Sequence, residues 1–247
     1  MSAVANAERE LVVDKRGTTR WVTLDRPGKM NALSATLVES LLAEVNAASL
    51  DGTRLLVFRG NGKNFSAGFD MGGYEAQSEG DLVLRFIRIE QLLQAVRHAP
   101  FDTMVLAHGR NFGAGVDLIC AGARRVAAPD STFRMPGLRF GLVLGSRLFA
   151  ERVGTDRARG VLQESQTFGA ADALDWGFLT QVVPQDQWPS AIDDAARAAT
   201  ALSPEAAARL FRVMAPGDHR DADLAELARS AAEPGIKQRI AAYLGSK

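Results

Sequence analysis

Two segments of small residues carry the chemistry this chain can offer. The first is Phe65-Ser66-Ala67-Gly68-Phe69-Asp70-Met71 and the second is Gly109-Arg110-Asn111-Phe112-Gly113-Ala114-Gly115-Val116-Asp117-Leu118. Each follows an apolar run, and each is poor enough in side chains for bare backbone N–H groups to approach a ligand oxygen. Two such donors from separate loops form an oxyanion hole, the device required by acyl transfer and by enolate formation. The second segment leads into a helix, whose first-turn N–H groups lack intrahelical partners and carry the positive end of the helix dipole. Asp117 lies three positions after Ala114, on the same helical face. A carboxylate there can face whatever the Ala114 N–H holds, an arrangement suited to proton transfer beside a stabilised oxyanion. An aspartate near a helix start also serves as a plain cap or dipole partner. Gly113-Ala114-Gly115 lacks the full dinucleotide-binding fingerprint.

The elements around these loops follow from hydropathy patterning. Leu11–Asp14 and Arg20–Leu24 predict a hairpin about a Lys15-Arg16-Gly17 turn. Ser34 is a candidate N-cap for a helix with Val38, Leu41, Leu42 and Val45 on one face. Leu55–Arg59 and Thr103–Ala107 read as buried strands, each running into one of the two loops. Between them, Leu82, Phe86, Ile89, Leu93 and Val96 recur at helical spacing, predicting a helix over 81–97 that Pro100 closes. A helix over 116–123 and a strand over 125–127 follow. Strands alternating with helices imply an α/β sheet of parallel character. Beyond Gly141 the pattern turns helical, with candidates over 191–202, 204–214 and 221–244. A composition shift near 167–184 separates an α/β core, taken as 1–190, from a helical C-terminal part, 191–247.

Composition excludes several classes. The 29 basic and 29 acidic side chains cancel, so no global field steers the protein to nucleic acid or an anionic membrane. No apolar run approaches the roughly 20 residues of a membrane helix, and the first ten residues lack a signal peptide's basic and apolar regions. The single cysteine, Cys120, rules out an intrachain disulfide and reads as an inert core residue. A cytoplasmic protein is the expectation. No His/carboxylate cluster suggests a metal, and no Ser-His-Asp set has interpretable spacing. His98 and His219 read as exposed, and His108 as a buried structural histidine.

Taken in order along the chain, these segments resemble the crotonase superfamily, the enoyl-CoA hydratase/isomerase family. Leu24-Asp25-Arg26-Pro27-Gly28-Lys29-Met30-Asn31-Ala32-Leu33 looks like the entry motif where family members wrap backbone around the adenine of coenzyme A. Residues 65–71 and 109–118 resemble the two oxyanion loops. Residues 168–183 are similar to the segment after the active-site helices, and 233–247 to the closing helix. The resemblance implies a crotonase-type ββα spiral core with a helical C-terminal trimerisation region. It matches the N–H groups of Phe69 and Ala114 to the oxyanion donors and Asp117 to the first acidic position of the hydratases. It implies an acyl-CoA thioester substrate, with coenzyme A as part of the substrate and no permanently bound cofactor. Arg26, Lys29, Ala32, Ala67, Asp70 and Met71 fall at coenzyme-binding positions, with Lys63 in support. Tyr243 and Lys247 match positions that reach an adjacent subunit's ligand, and a homotrimer or homohexamer is implied.

The chain departs from the hydratases in two places. The lysine common after the first oxyanion loop is absent from Asp70-Met71-Gly72-Gly73. At the second acidic position, Phe133-Arg134-Met135-Pro136 is followed by Gly137 where glutamate is usual. A related branch with glycine there uses a bound anion instead, which Arg134, Arg139 and Arg147 could support. With Asp117 as the single acid in register, an isomerase or lyase reaction through a thioester enolate fits better than ordinary hydration. A catalytically idle acyl-CoA-binding or scaffolding protein is the second reading, and a carbon–carbon hydrolase or dehalogenase-like enzyme the third. The acyl pocket is expected to draw on residues 74–86 and 137–148.

Overall fold

The computed structural model describes residues 10–214 and 217–246. Six strands form the main sheet: β1 (Leu11–Arg16), β2 (Thr19–Leu24), β3 (Leu55–Gly60), β4 (Asp102–Ala107), β6 (Arg124–Ala127) and β9 (Gln181–Val182). Their spatial order is β1-β2-β3-β4-β6-β9. Only the β1–β2 hairpin is antiparallel, and every other neighbour is parallel, as in Thr19 opposite Leu55 and Leu55 opposite Asp102. A second sheet joins β5 (Arg110–Phe112), β7 (Thr132–Arg134) and β8 (Thr167–Gly169) in that order.

Helices connect the strands. They are α1 (Ala35–Ala48), α2 (Glu79–Arg97), α3 (Ala114–Ala121), α4 (Ser146–Val153), α5 (Thr155–Glu164), α6 (Ala170–Asp175), α7 (Trp188–Thr200), α8 (Pro204–Met214), α9 (Arg220–Ala232) and α10 (Ile236–Gly245). The Ser34 side chain accepts from the Leu37 N–H, capping α1 as expected.

Side-chain alternation along the strands explains why both faces of the main sheet are covered. Leu56 and Phe58 of β3 and Val105 and Ala107 of β4 face the larger core, under α1 and α2. Leu55, Val57, Met104, Leu106 and Val126 point to the other face, where Ala191, Ala195 and Ala199 of α7 lie against them. Parallel strands buried on both faces read as near-continuous apolar runs, the signal that revealed β3 and β4. Helix α7 begins at 188, so its packing on the sheet straddles the boundary expected at 190.

The expected helix over 221–244 is two helices. Glu233-Pro234-Gly235 separates α9 from α10, because proline cannot donate its backbone nitrogen to the ladder and Gly235 takes the left-handed conformation that precedes α10. Strands β5, β7, β8 and β9, three residues or fewer, are additions to the sequence reading. No described helix is long and apolar enough to cross a membrane.

The topology brings the two loops together. Strands β3 and β4 are parallel neighbours, so the segments leaving their C-terminal ends emerge at one edge of the sheet. Ligand sites in open parallel sheets lie at that edge.

Candidate active site

The loops are stitched to each other backbone to backbone. The Phe65 N–H donates to the His108 carbonyl (3.0 Å) and the Phe112 N–H to the Ser66 carbonyl (3.2 Å). Gly68 holds the tightest point. Its φ is +78°, and a Cβ there would overlap the Phe112 carbonyl oxygen and stand 2.9 Å from the Ala114 nitrogen. Gly68→Ala therefore both strains the backbone and wedges the loops apart. The expected outcome is a lowered Tm and loss of turnover; unchanged thermal melting would show that the loops tolerate separation.

Most N–H groups of the first loop are spent. Ala67 donates to Met30 (2.8 Å), Gly68 to the Ser66 hydroxyl (3.1 Å) and Asp70 to Leu33 (3.2 Å). Leu33 pairs with Phe69 as an isolated parallel bridge that uses the Gly68 carbonyl and the Asp70 N–H, so the Phe69 N–H faces away from Leu33. That N–H has no acceptor among the described residues. Neither has the N–H of Ala114, the first residue of α3, where intrahelical partners do not exist.

Both donors border a cavity of about 590 Å³. Asp117 stands in its wall, with Met135, Pro136 and Gly137 from the β7 exit and Phe140, Leu142 and Leu144 from the segment after it. From α2 only Phe86 contributes, stacked on the Phe69 ring at 4.1 Å between centroids. The span 137–148 thus supplies lining as expected, whereas Tyr74 is a buried core residue outside the cavity.

Asp117 is 2% exposed, and its Oδ1 has no hydrogen-bond partner among the described residues. Burial pushes its carboxyl well above the ordinary aspartate range, and the Glu90 carboxylate nearby adds to the effect. Glu90 is the residue that the sequence reading passed over. It lies on the buried face of α2, 6% exposed, one turn beyond Phe86, and accepts from Gln94 Nε2 at 2.8 Å. Glu90 is thus a second desolvated acid near Asp117, outside the lining of this cavity. The clue was a carboxylate within the apolar stripe of α2, where a charge is rare unless paired.

The other expected residues fall as follows. Ala67 and Met71 line the cavity, and Ala32 is buried outside its lining. Arg26 is committed inside the protein: its guanidinium pairs with Glu10 (2.8 Å) and Asp70 (2.8 Å) and donates to the Ala32 carbonyl. Despite desolvation, the Gly72 N–H and Arg26 hold the Asp70 carboxyl below its usual value. Lys29 and Lys63 are exposed. Tyr243 lines this chain's own cavity, tilted against Phe140 at 5.2 Å, and Lys247 lies outside the described residues. Of the arginines considered for an anion, Arg139 donates to Ser165 and Glu164, and Arg147 pairs with Asp223 (2.7 Å). Arg134 alone lines the cavity, one edge donating to the Ser165 carbonyl.

His108 is buried, with Nε2 2.9 Å from the Gly62 carbonyl and its ring against Trp188. His98 is half-buried rather than exposed, packed where α2 meets α9. Cys120 is fully buried, its thiol pushed up to about 12 by desolvation. Among the described residues no group of His, Cys, Asp and Glu could hold a metal.

The family model described as enoyl-CoA hydratase/isomerase matches residues 15–233. The chain belongs to the enoyl-CoA hydratase/isomerase family. It is 55% identical to a Bordetella parapertussis protein of known structure described as a candidate enoyl-CoA hydratase/isomerase. That match covers 95% of this chain and 98% of the other, with a TM-score of 0.94. A curated Rhodobacter capsulatus protein described as a candidate enoyl-CoA hydratase is 33% identical over 167 residues, 66% of this chain and 64% of that protein. An Arthrobacter 4-chlorobenzoyl coenzyme A dehalogenase is 26% identical over 201 residues, 78% of this chain and 73% of that protein. The first curated relatives are thus matched over slightly less than two thirds of their length. The crotonase fold expected from the motifs is the fold of this family.

Proposed function

We propose that this chain is an acyl-CoA enzyme that forms a thioester enolate. The Phe69 and Ala114 N–H groups hold the thioester oxygen, and Asp117 moves the proton on the adjacent carbon. One observation carries the reading: a single cavity is lined by two residues whose backbone donors have no acceptor and by a buried carboxylate with one oxygen that has no donor, among the described residues. Buried polar groups are otherwise almost always satisfied. A thioester oxygen between the donors satisfies both, and an acidic α-proton satisfies the carboxylate.

Gly137 places no carboxylate at the β7 exit to activate water across a double bond. Isomerisation or a lyase step is favoured over ordinary hydration. Coenzyme A would enter past Lys29 and Lys63, with Ala32, Ala67, Asp70, Met71 and Tyr243 along its path; Arg26 would reach a phosphate only by sharing its guanidinium with Asp70. Residues 1–190 would supply the catalytic core and 191–247 the association surface of a homotrimer or homohexamer. Exposed Leu210, Val213 and Met214 of α8 suit that second role.

The test is deuterium incorporation at the α-carbon of saturated and unsaturated acyl-CoA thioesters in heavy water, read by mass spectrometry. Incorporation is expected on at least one. Coenzyme A binding without exchange on any would establish an idle acyl-CoA binder instead.

A further inference from the structure

Two adjacent residues of α2 grip the first loop at the residue that carries its proposed donor. The Phe69 ring stacks on Phe86, and the Arg85 guanidinium carbon stands 4.2 Å from the centre of the same Phe69 ring. Arg85 also reaches the backbone just past that ring, its Nη2 donating to the Asp70 carbonyl at 2.6 Å. Its Nη1 donates to the Gln77 side chain at 3.1 Å, next to the Ser78 cap that begins α2. Arg85 is half-buried and lines no part of the acyl cavity, whereas Phe69 and Phe86 both do. It can reach a substrate only through Phe69.

From this arrangement we infer that Arg85 is a positioning residue, which holds Phe69 by its ring and by the next carbonyl so that the Phe69 N–H keeps a fixed direction. The catalytic use of that direction rests on the oxyanion reading above; the fixing itself does not. Leu33 pins the chain on both sides of Phe69, through the Gly68 carbonyl and the Asp70 N–H, while the N–H of Phe69 takes no part in that pairing. The ring is therefore the handle by which this residue is set. A donor contributes most when it is oriented before the charge develops, because no reorganisation then accompanies the reaction.

Arginine suits this task better than lysine. Its planar guanidinium can lie against an aromatic face and donate hydrogen bonds at the same time, whereas an ammonium offers a point charge. The other two arginines of α2 pair with carboxylates, Arg88 with Glu39 and Arg97 with Glu151. Arg85 forms no ion pair among the described residues, and its printed partners are an aromatic ring and two neutral oxygens. Asp70 is in turn held from two directions. Arg85 takes its carbonyl, while Arg26 and the Gly72 N–H take its carboxylate. The residue that follows the proposed donor is thus clamped between α2 and the segment after β2.

Two experiments separate the fixing from its use. The first follows the Phe69 amide by nitrogen-15 relaxation in protein labelled at phenylalanine, the signal being identified by its absence from Phe69→Leu. Arg85→Leu keeps apolar bulk but loses the charge, the stacking plane and both donated bonds, so it should raise the mobility of this amide. Arg85→Lys should restore part of the order. Arg85→Gln, which keeps an amide donor without the charge over the ring, carries the same prediction in case the leucine variant fails to fold. Unchanged relaxation in a folded Arg85→Leu or Arg85→Gln overturns the inference. The second experiment reads the infrared stretch of the carbon-13-labelled thioester carbonyl in acetyl-, crotonyl- and octanoyl-CoA bound to the protein. A donor aimed at that oxygen lowers the frequency; the native protein should show the downshift, and Arg85→Leu should lose a large part of it. Exchange of the α-proton should fall roughly tenfold in kcat with KM unchanged, a fraction of the 10²–10³ of a lost oxyanion donor. A merely structural role would lower the folded fraction but leave the bound carbonyl frequency where it was. A mobile Phe69 amide with the native frequency retained would uphold the fixing and overturn its catalytic use. No downshift in the native protein, or no binding of any of the three thioesters, sinks the oxyanion reading, while the relaxation experiment still decides the fixing.

Discussion

Asp117→Asn is expected to lower α-proton exchange by roughly 10²–10⁴-fold, the usual share of a positioned acid or base, and at the same time to make the protein more stable at alkaline pH. The two effects have one cause. Asn keeps the shape of Asp but cannot carry the proton, so the exchange step loses its carrier. The native carboxyl is desolvated and, among the described residues, faces no donor at Oδ1, so its ionisation is costly in the fold and unhindered in the unfolded chain. Between an unfolded value of about 3.9 and the raised native value, the native state binds more protons than the unfolded state. Stability contributed by the protonated group is present below the unfolded value and is lost as pH rises through the native one. Asn has no such loss. Urea melts of both proteins across this range should therefore converge at acidic pH and separate at alkaline pH, with the variant ahead. Glu90 keeps a raised value of its own, so the variant's pH slope is reduced, not abolished. Proton abstraction requires the ionised form, so native exchange should climb with pH over the same interval in which native stability declines. Retained exchange in Asp117→Asn would remove Asp117 from the chemistry; an unchanged pH slope of stability would deny that the carboxyl is desolvated.

How much of this was legible in the sequence depends on the range of the interaction. Local signals were dependable: Ser34 before an apolar periodicity marked the start of α1, and the β3 and β4 runs declared themselves because a parallel sheet covered on both faces leaves no polar alternation. The two loops were legible as small-residue segments, since backbone donors need bare backbone. Their meeting was not a local fact. It follows from β3 and β4 being parallel neighbours, information that the family resemblance carried and the spacing of 69 and 114 did not. Strands β5, β7, β8 and β9 were invisible because two or three residues hold too little periodicity. Glu90 was missed for a different reason. Helical spacing placed Phe86, Ile89 and Leu93 on one buried face, and position 90 lies on that face too, but an apolar periodicity counts only apolar residues and passes over a carboxylate among them.

The proposed oxyanion donors admit a cleaner deletion than backbone groups usually allow, because Ala114 is the first residue of α3. Proline is favoured at that position: its missing N–H is one that the helix does not use, and its fixed φ suits the first turn. The residue before it is Gly113, which has no Cβ to clash with the proline ring. Ala114→Pro should therefore fold with nearly native stability while removing one donor from the thioester oxygen. The expected cost is about 10²–10³ in kcat, or roughly 3–4 kcal/mol of barrier, as for other oxyanion donors. Phe69 would still hold the oxygen, so activity falls without vanishing. Because the proline ring also intrudes where the oxygen sits, Ala114→Ser is the needed companion: it enlarges the residue but keeps the N–H, and its kcat should stay within a few-fold of native. A Ser variant as impaired as the Pro variant would point to crowding, not to a lost donor. A Pro variant that turns over at the native rate would leave the enolate held by something other than the two loops. On this proposal the donor's worth comes from preorganisation: an N–H that no carbonyl among the described residues competes for would be aimed at charge that develops only in the transition state.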